Sequence, residues 1–136
     1  MTAKKVTLAL LLLTGSAQAL AETPQDFVAK YTAEAGAGFK PSAARGKSFF
    51  TKEFGANKDM PSCSTCHTKD INTKGKHAIT GKVIEPLSPA ANAERFTTAK
   101  KVEKWFKRNC NEVVGRECTP AEKADFIQFA IEGGKA

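Results

Sequence analysis

Apolar residues recur at helical spacing in two segments near the start of the chain. The first segment begins at Thr23-Pro24, a capping residue followed by the residue preferred at the first helical position, and ends at Gly36. The second segment reads as a helix from Pro41 to Phe54. Within it, Gly46 shares a face with Phe50, and we expect this glycine to allow close packing on another helix. The apolar positions of the two segments are Phe27, Val28, Tyr31, Ala35, Ala44, Phe49, Phe50 and Phe54.

Two further helices are predicted near the C-terminus. Thr97 or Thr98 can cap the third helix. One face of this helix, at i, i+3, i+4 and i+7, consists of Val102, Trp105, Phe106 and Asn109, and we expect it to point inward. The fourth helix has a capping box, in which Thr119 is followed by Pro120 and Glu122, and it stops at Gly133. Because no strand alternation is evident, the sequence predicts an all-α fold.

The N-terminus has the features of a secretory signal peptide. The basic pair Lys4-Lys5 precedes an apolar run, Val6–Leu13, that is too short to span a bilayer. Small residues then offer cleavage after Ala19 or after Ala21, and the sequence does not distinguish the two sites. We therefore predict a signal peptide over residues 1–21 and export to the periplasm of a Gram-negative bacterium.

The remaining chain, residues 22–136, is long enough for one domain. The net charge of the whole chain is +7, and without the two basic residues of the signal peptide it is +5. No compact basic run is interleaved with aromatic residues, which argues against nucleic acid as a partner. The spread of lysines is typical either of a solvated surface or of a surface that docks on an acidic redox partner. These lysines are Lys69, Lys74, Lys76, Lys82, Lys100, Lys101, Lys104 and Lys107.

The stretch Cys63-Ser64-Thr65-Cys66-His67 carries the clearest chemical signal in the chain. It reads C-x-x-C-H, the pattern by which haem c is attached through two thioethers, with the histidine as the proximal iron ligand. A zinc site would instead recruit these three residues together with Cys110 and Cys118. In an oxidising compartment, however, Cys110 and Cys118 should form a disulfide. The pattern therefore predicts one covalent haem c.

A long connection over residues 68–94 follows the haem motif. A connection of this length in a compact domain is usually functional or disordered. We expect it to wrap the haem edge, although a mobile surface loop is the alternative. The apolar residues available to cover the haem are Ile79, Val83, Ile84 and Leu87.

The identity of the distal iron ligand is the main question that the motif leaves open. Methionine is the usual choice in electron carriers, but Met60 is the only methionine outside the signal peptide. It lies three residues before Cys63 on the chain that enters the proximal side, and so we exclude it. His77 is a second candidate, although a loop histidine facing solvent is the simpler interpretation.

The C-terminal part of the chain resembles the sphaeroides haem protein family. The resemblance is carried by Lys104-Trp105-Phe106-Lys107-Arg108-Asn109-Cys110, by Gly115-Arg116-Glu117-Cys118-Thr119 and by Glu122-Lys123. It implies a class I cytochrome c fold around one haem, with an asparagine as the distal ligand. It further implies that the asparagine leaves the reduced iron, which then binds O₂ or NO. A dihaem cytochrome c and a membrane cytochrome b are the redox partners that it suggests.

Two asparagines flank Cys110, and helical geometry favours one of them as the distal ligand. Asn109 shares the inward face of Trp105, whereas Asn111 suits a turn at the helix end. An amide is a weak, hard donor that tolerates ferric iron better than ferrous iron, so reduction should release it. The alternative function is a plain electron carrier with a permanently six-coordinate haem. No general acid or base constellation is visible, which weighs against an enzyme.

Overall fold

The computed structural model of the protein describes residues 21–135. The signal peptide predicted for residues 1–21 lies almost wholly outside them. In chain order the helices and strands are α1 (Pro24–Ala35), α2 (Ala43–Thr51), α3 (Ser64–His67), β1 (Gly75–Lys76), β2 (Val83–Ile84), α4 (Ala99–Asn109), a π-helix (Cys110–Val114) and α5 (Pro120–Ile131). Among the described residues, no helix combines the length and apolar character needed to cross a bilayer.

Helices α1 and α5 begin where their capping signals predicted. Thr23 and Asp26 form a reciprocal capping box at α1, and Thr119 and Glu122 form one at α5. Helix α1 ends at the predicted glycine, Gly36. The predicted starts of both helices and the predicted end of α1 are therefore confirmed.

Helix α2 is shorter than the predicted span of 41–54. The side chain of Ser42 accepts a hydrogen bond from the backbone N–H of Arg45, so Ser42 caps the helix. The first residue of α2 is therefore Ala43. The backbone becomes extended at Lys52, which ends the helix. Beyond this point the N–H of Phe54 donates to the carbonyl of Pro61 at 2.9 Å and closes a loop instead of extending α2.

The core lies where α5 packs against both α1 and α2. Gly46 of α2 faces the backbone carbonyl of Asp125 in α5, and a Cβ atom at this position would overlap that carbonyl. The expectation that Gly46 permits close helix packing is thus confirmed. The side chains that are almost completely buried in this region are Phe27, Tyr31, Phe50, Ile127 and Phe129.

The connection over residues 68–94 contains a small antiparallel hairpin, which the sequence did not reveal. Gly75 pairs with Ile84, and Lys76 pairs with Val83. Strands of two residues are too short for alternation to be read from a sequence. Gly75 packs directly against the backbone carbonyl of Cys66, so the hairpin is held against the C-x-x-C-H segment.

Helix α4 starts after Thr98, one of the two predicted caps, but the hydroxyl of Thr98 makes no capping hydrogen bond. The N–H of Ala99 donates instead to the carboxylate of Glu22, at 2.7 Å. At its other end, α4 continues into the π-helix, which closes at Gly115 in a left-handed conformation. Single turns of π-helix are frequent at functional sites, and this one begins directly after Asn109.

Candidate functional site

A cavity of about 650 Å³ is lined by residues of α3, the hairpin, α4 and the π-helix. This volume lies in the range of binding sites for small molecules and cofactors. The five residues predicted to bind the haem, Cys63, Cys66, His67, Trp105 and Asn109, all line it. Four phenylalanines, Phe49, Phe96, Phe106 and Phe126, also line the cavity.

Both cysteines of the C-x-x-C-H segment line the cavity, Cys63 from the N-cap position of α3 and Cys66 from within α3. Neither cysteine takes part in a disulfide. Burial raises the pKa of the Cys63 thiol to about 11, so this thiol stays neutral. The N–H of Ala78, in the hairpin, donates to the sulfur of Cys66 at 3.3 Å and ties the hairpin to this wall.

The imidazole of His67 is neutral and faces the same cavity. Burial, together with the positive charge of Arg95, lowers the pKa of His67 to about 4. Its ring lies beside that of Phe50, with centroids 6.5 Å apart. Within residues 21–135 the imidazole has no hydrogen-bond partner, so a nitrogen lone pair is available to a metal.

The two candidate asparagines lie in different environments. Asn109, the last residue of α4, is partly buried and lines the cavity, and its amide has no hydrogen-bond partner in the part of the chain that the structure describes. Asn111 is exposed, and its side-chain NH₂ donates to the carbonyl of Lys107 at 2.6 Å. The structure therefore brings Asn109, and not Asn111, into the cavity with His67.

The expectation that Trp105 points inward needs correction. Phe106 packs in the core against Tyr31 and Phe126, but Trp105 is 44% exposed at the cavity rim. Consecutive helix positions differ by about 100° in direction. Because Phe106 faces the core, the side chain of Trp105 points about 100° away from it, toward the rim of the cavity.

The hairpin and the chain before α3 complete the cavity wall. Val83, Ile84 and Leu87 line the cavity as anticipated, whereas Ile79 lies outside it and is 61% exposed. Met60 also lines the cavity, where it packs in an apolar cluster with Cys66 and Val113. The long connection is thus an ordered wall rather than a mobile loop. Its backbone is fixed by hydrogen bonds from Leu87 and Ser88 to the carbonyl of Ile71.

His77, the second predicted ligand candidate, is a cavity residue as well. Its Nδ1 accepts hydrogen bonds of 3.2 Å from the backbone N–H groups of Ile79 and Thr80. These two bonds hold the ring in place in the turn of the hairpin. The simple interpretation of His77 as a solvent-facing loop residue therefore does not describe its position.

Arg95 places a positive charge at the cavity wall. Its Nε donates to the carbonyl of Pro86 at 2.8 Å, and a second nitrogen donates to the carbonyl of Glu85. The guanidinium is thereby held by backbone groups, and no carboxylate of the described residues lies within ion-pair distance of it. A carboxylate of a ligand bound in the cavity could pair with it.

Cys110 and Cys118 form a disulfide in the structure. The bridge closes a segment that contains the π-helix, directly after Asn109. The pair is consequently not available to a zinc ion. Among the described residues, no cluster of three or more histidine, cysteine or acidic side chains could hold a metal ion.

Two cavity features had no signal in the sequence. Phe96 adopts a left-handed backbone (φ of 56°), which is unusual for a bulky residue, and its ring packs edge-on against Phe126 at 6.4 Å. The π-helix places Glu112, Val113 and Val114 on the wall beside Asn109. A left-handed backbone at a single loop residue leaves no periodic pattern of residue types in the sequence. The i+5 hydrogen bonds of a π-helix leave none either.

The cavity residues fit a covalently bound haem. The partly buried Cys63, the buried Cys66, a neutral imidazole and several phenylalanine rings meet in one space with Asn109, and neither the imidazole nor the Asn109 amide has a hydrogen-bond partner among the described residues. Thioether attachment needs the thiols, and iron coordination needs the imidazole.

Comparisons with known proteins give the same class of protein. The family described as a domain of unknown function (DUF1924) matches residues 36–130. The chain is 46% identical over 118 residues to the cytochrome c-type protein SHP of Cereibacter sphaeroides, covering 86% of this chain and 89% of that protein. It is also 41% identical over 92 residues to cytochrome c'' of Methylophilus methylotrophus, covering 67% of this chain and 64% of that protein.

Two solved structures share the fold. The structure of oxidised SHP, described as an oxygen-binding cytochrome c, matches with a TM-score of 0.74 at 45% identity, over 79% of this chain and 95% of that chain. The solution structure of cytochrome c'', which addresses the structural basis of haem-ligand detachment, matches with a TM-score of 0.69 at 37% identity, over 82% and 94% of the two chains. The predicted helical cytochrome c fold is confirmed.

Proposed function

The chain belongs to the sphaeroides haem protein family of c-type cytochromes, and from this premise we propose that its reduced form binds a small diatomic gas. We further propose that it carries one haem c, attached through Cys63 and Cys66. When bound, the haem supplies an iron that changes oxidation state and can coordinate O₂ or NO. The residues of the chain decide which positions of that iron are available.

His67 is the proposed permanent ligand. Its imidazole is held neutral by burial, and the neutral ring is the form that coordinates iron. Two covalent bonds from Cys63 and Cys66 would fix the haem beside it, because Cys66 directly precedes His67 in the chain. Arg95 is the proposed partner of a haem propionate, since its guanidinium lines the cavity and has no carboxylate within ion-pair distance among the described residues.

Asn109 is the proposed exchangeable ligand. The observation that carries this proposal is that its unpartnered amide lines the same cavity as the imidazole of His67. An amide oxygen is a hard donor, suited to ferric iron and weakly held by ferrous iron. Reduction would release Asn109, whose amide would then be free to turn aside or to donate a hydrogen bond to an incoming gas.

Two descriptions of relatives support this reading. One relative is described as an oxygen-binding cytochrome c, and the other was studied for the detachment of a haem ligand. In this chain, the residue proposed to detach lies at the junction between α4 and the π-helix. The junction is a place where backbone geometry already departs from a regular helix, so a small displacement of Asn109 needs no rearrangement of the core.

The proposed cellular setting follows from the N-terminal signal. The domain, residues 22–136, would act in the periplasm after removal of residues 1–21 and exchange electrons with a partner cytochrome. A dihaem cytochrome c or a membrane cytochrome b is the partner class that the family resemblance suggests. Covalent haem and a disulfide are both compatible with an oxidising compartment.

Spectra of the haem-loaded protein test the proposal. We expect a low-spin ferric spectrum, a high-spin ferrous spectrum, and a large shift of the ferrous Soret band on addition of CO or NO. Asn109→Ala should abolish the low-spin ferric form, whereas the matched variant Asn111→Ala should retain it. A low-spin ferrous spectrum that neither gas changes would show that no coordination position opens.

A plain electron carrier is the second candidate, and the position of His77 in the cavity is the observation that favours it. An imidazole is a stronger ligand for ferrous iron than an amide. If His77 coordinates the iron, His77→Ala and not Asn109→Ala should convert the ferric spectrum to high spin. The same two variants therefore decide between gas binding and permanent six-coordination.

A further inference from the structure

One stripe of α4 is strongly basic and is centred on an exposed tryptophan. Lys101, Lys104, Trp105 and Arg108 recur at i, i+3, i+4 and i+7, so they share a face of the helix. The indole of Trp105 is 44% exposed. The ammonium of Lys104 lies 5.1 Å from its ring centroid, and the guanidinium carbon of Arg108 lies 5.6 Å away. We call these four residues the α4 stripe.

The positive charge of the α4 stripe is only partly neutralised. Glu112 pairs with Arg108 at 3.0 Å. Glu103, the only acidic residue within α4, is turned away from the stripe and pairs with Lys30 at 2.7 Å and with Lys123 at 3.4 Å. In the described part of the chain, neither Lys101 nor Lys104 has a carboxylate within ion-pair distance.

The stripe also reaches the haem cavity. Lys101, Trp105 and Arg108 all line the rim of the cavity, and Asn109 follows on the same helix. Trp105 is therefore exposed to solvent on one side and faces the proposed haem site on the other. Tryptophan and arginine are the residues most enriched at energetically important positions of protein interfaces.

From this arrangement we propose that the α4 stripe is the docking surface for an acidic, electron-donating protein. Its lysines would steer the encounter, and the exposed indole of Trp105 would be the central contact. The proposal rests on the proposed function only in requiring that the haem exchange electrons with a partner protein. It places that exchange on the helix that carries Asn109 and not on the hairpin.

The hairpin is the competing surface. It exposes Ile79 and Val83, which are 61% and 65% accessible, and it carries Lys76 and Lys82. The neighbouring Lys74, however, is neutralised by Glu85 at 2.9 Å. The hairpin has no aromatic side chain held between cations. The α4 stripe therefore combines positive charge with a large contact residue, which the hairpin does not.

Stopped-flow reduction of the ferric, haem-loaded protein tests the proposal. The probe is reduced plant-type [2Fe–2S] ferredoxin, a small acidic one-electron donor. In the wild-type protein the second-order rate constant should fall as ionic strength rises. At low salt, Lys101→Glu/Lys104→Glu should lower it by about tenfold or more. The matched control, Lys40→Glu/Lys135→Glu, changes the net charge equally at two exposed residues away from the cavity and should have a much smaller effect.

Two further measurements separate docking from other effects. Reduction by the methyl viologen radical cation, which needs no acidic docking patch, should not be slowed in any of these variants. Trp105→Leu should slow reduction by ferredoxin at high salt as well as at low salt, because it removes contact area and no charge.

Three outcomes would overturn the proposal. If the α4 pair and the control pair slow reduction by ferredoxin equally, the rate depends on net charge alone and not on the α4 stripe. Slowing by Lys76→Glu/Lys82→Glu, without slowing by the α4 pair, would place the docking surface on the hairpin. If methyl viologen also reduces the Lys101→Glu/Lys104→Glu variant more slowly than the wild type, the substitutions have damaged the haem site. None of these rates depends on CO binding, so a failure of gas binding would be recognised separately in the spectra.

Discussion

The carboxylate of Glu22 accepts a hydrogen bond of 2.7 Å from the backbone N–H of Ala99. Ala99 is the first residue of α4, and the hydroxyl of Thr98, at the N-cap position, makes no such bond. The segment before α1 thus provides the cap of the helix that ends at Asn109. A carboxylate at this end also interacts favourably with the helix dipole.

We expect Glu22→Ala to lower the free energy of unfolding by about 0.5–2 kcal/mol, the usual cost of losing an N-cap. Urea denaturation of the haem-loaded protein, followed by circular dichroism, measures this change. Gln25→Ala, at an exposed position of α1, is the control and should change the stability by less than about 0.5 kcal/mol. Equal stability of Glu22→Ala and wild type would mean that water replaces the cap without cost.

Replacement of Asn109 by histidine tests the chemical reason for ligand release. An imidazole binds ferrous iron more strongly than an amide does, so Asn109→His should keep the ferrous form low-spin. We expect the affinity of the ferrous protein for CO to fall by about tenfold or more, which corresponds to at least about 1.4 kcal/mol. CO titration of the ferrous Soret band measures it. Asn111→His should bind CO as the wild type does, and an unchanged affinity in Asn109→His would show that residue 109 does not compete with the gas.

The sequence predicted those parts of the fold that depend on local chemistry. Thr119, Pro120 and Glu122 lie next to one another in the chain, and their capping box is present in the structure. The inward positions of Phe106 and Asn109 follow from helical periodicity. Periodicity is less informative at the edge of a helix face, which is why Trp105 was expected inside but lies at the rim.

The features that the sequence did not predict arise from contacts between distant segments. Glu22 caps α4 although it lies 77 residues from Ala99 in the sequence. The residues around Thr98 do not predict this contact. The hairpin of residues 75–84 exists because Gly75 fits against the carbonyl of Cys66, a matter of shape and not of alternation. His77 was treated as a loop residue since its place in the cavity depends on that same hairpin.

The Cys110–Cys118 disulfide should stabilise the segment that follows Asn109. We expect Cys110→Ser/Cys118→Ser to lower the free energy of unfolding by about 2–4 kcal/mol, the typical contribution of such a bridge. Because Cys110 is adjacent to Asn109, the fraction of low-spin ferric haem should also decline at a lower temperature than in the wild type. Urea denaturation and temperature-dependent absorption spectra measure the two effects.

Chemical reduction provides the control for this variant. Wild-type protein treated with a phosphine reductant, which opens the bridge to two thiols without substituting any residue, should reproduce both effects. If the low-spin fraction is identical in the bridged and the open protein at every temperature, the bridge stabilises the fold without influencing the position of Asn109.

Glu103 should make the stability of the protein depend on pH in the acid range. Partial burial raises the pKa of its carboxyl, but hydrogen bonds from Lys30 and Tyr31 and the charge of Lys123 outweigh this effect and lower the pKa to about 2. Because the folded-state pKa lies below the ordinary value of a glutamate, about 4.3, the ionised form is stabilised by folding. This contribution is complete above about pH 5 and is lost as the pH falls toward 2. The Glu103 side chain is 42% exposed, so solvent screening reduces the contribution to about 1 kcal/mol.

Comparison of wild type with Glu103→Gln over this range measures the contribution. At pH 7 the variant should be less stable by about 1 kcal/mol, and the difference should vanish near pH 2, where the wild-type carboxyl becomes protonated. Glu53→Gln, at an exposed position outside this cluster, should follow the wild type at both pH values. A difference that stays constant from pH 7 to pH 2 would assign the effect to packing of the side chain and not to its charge.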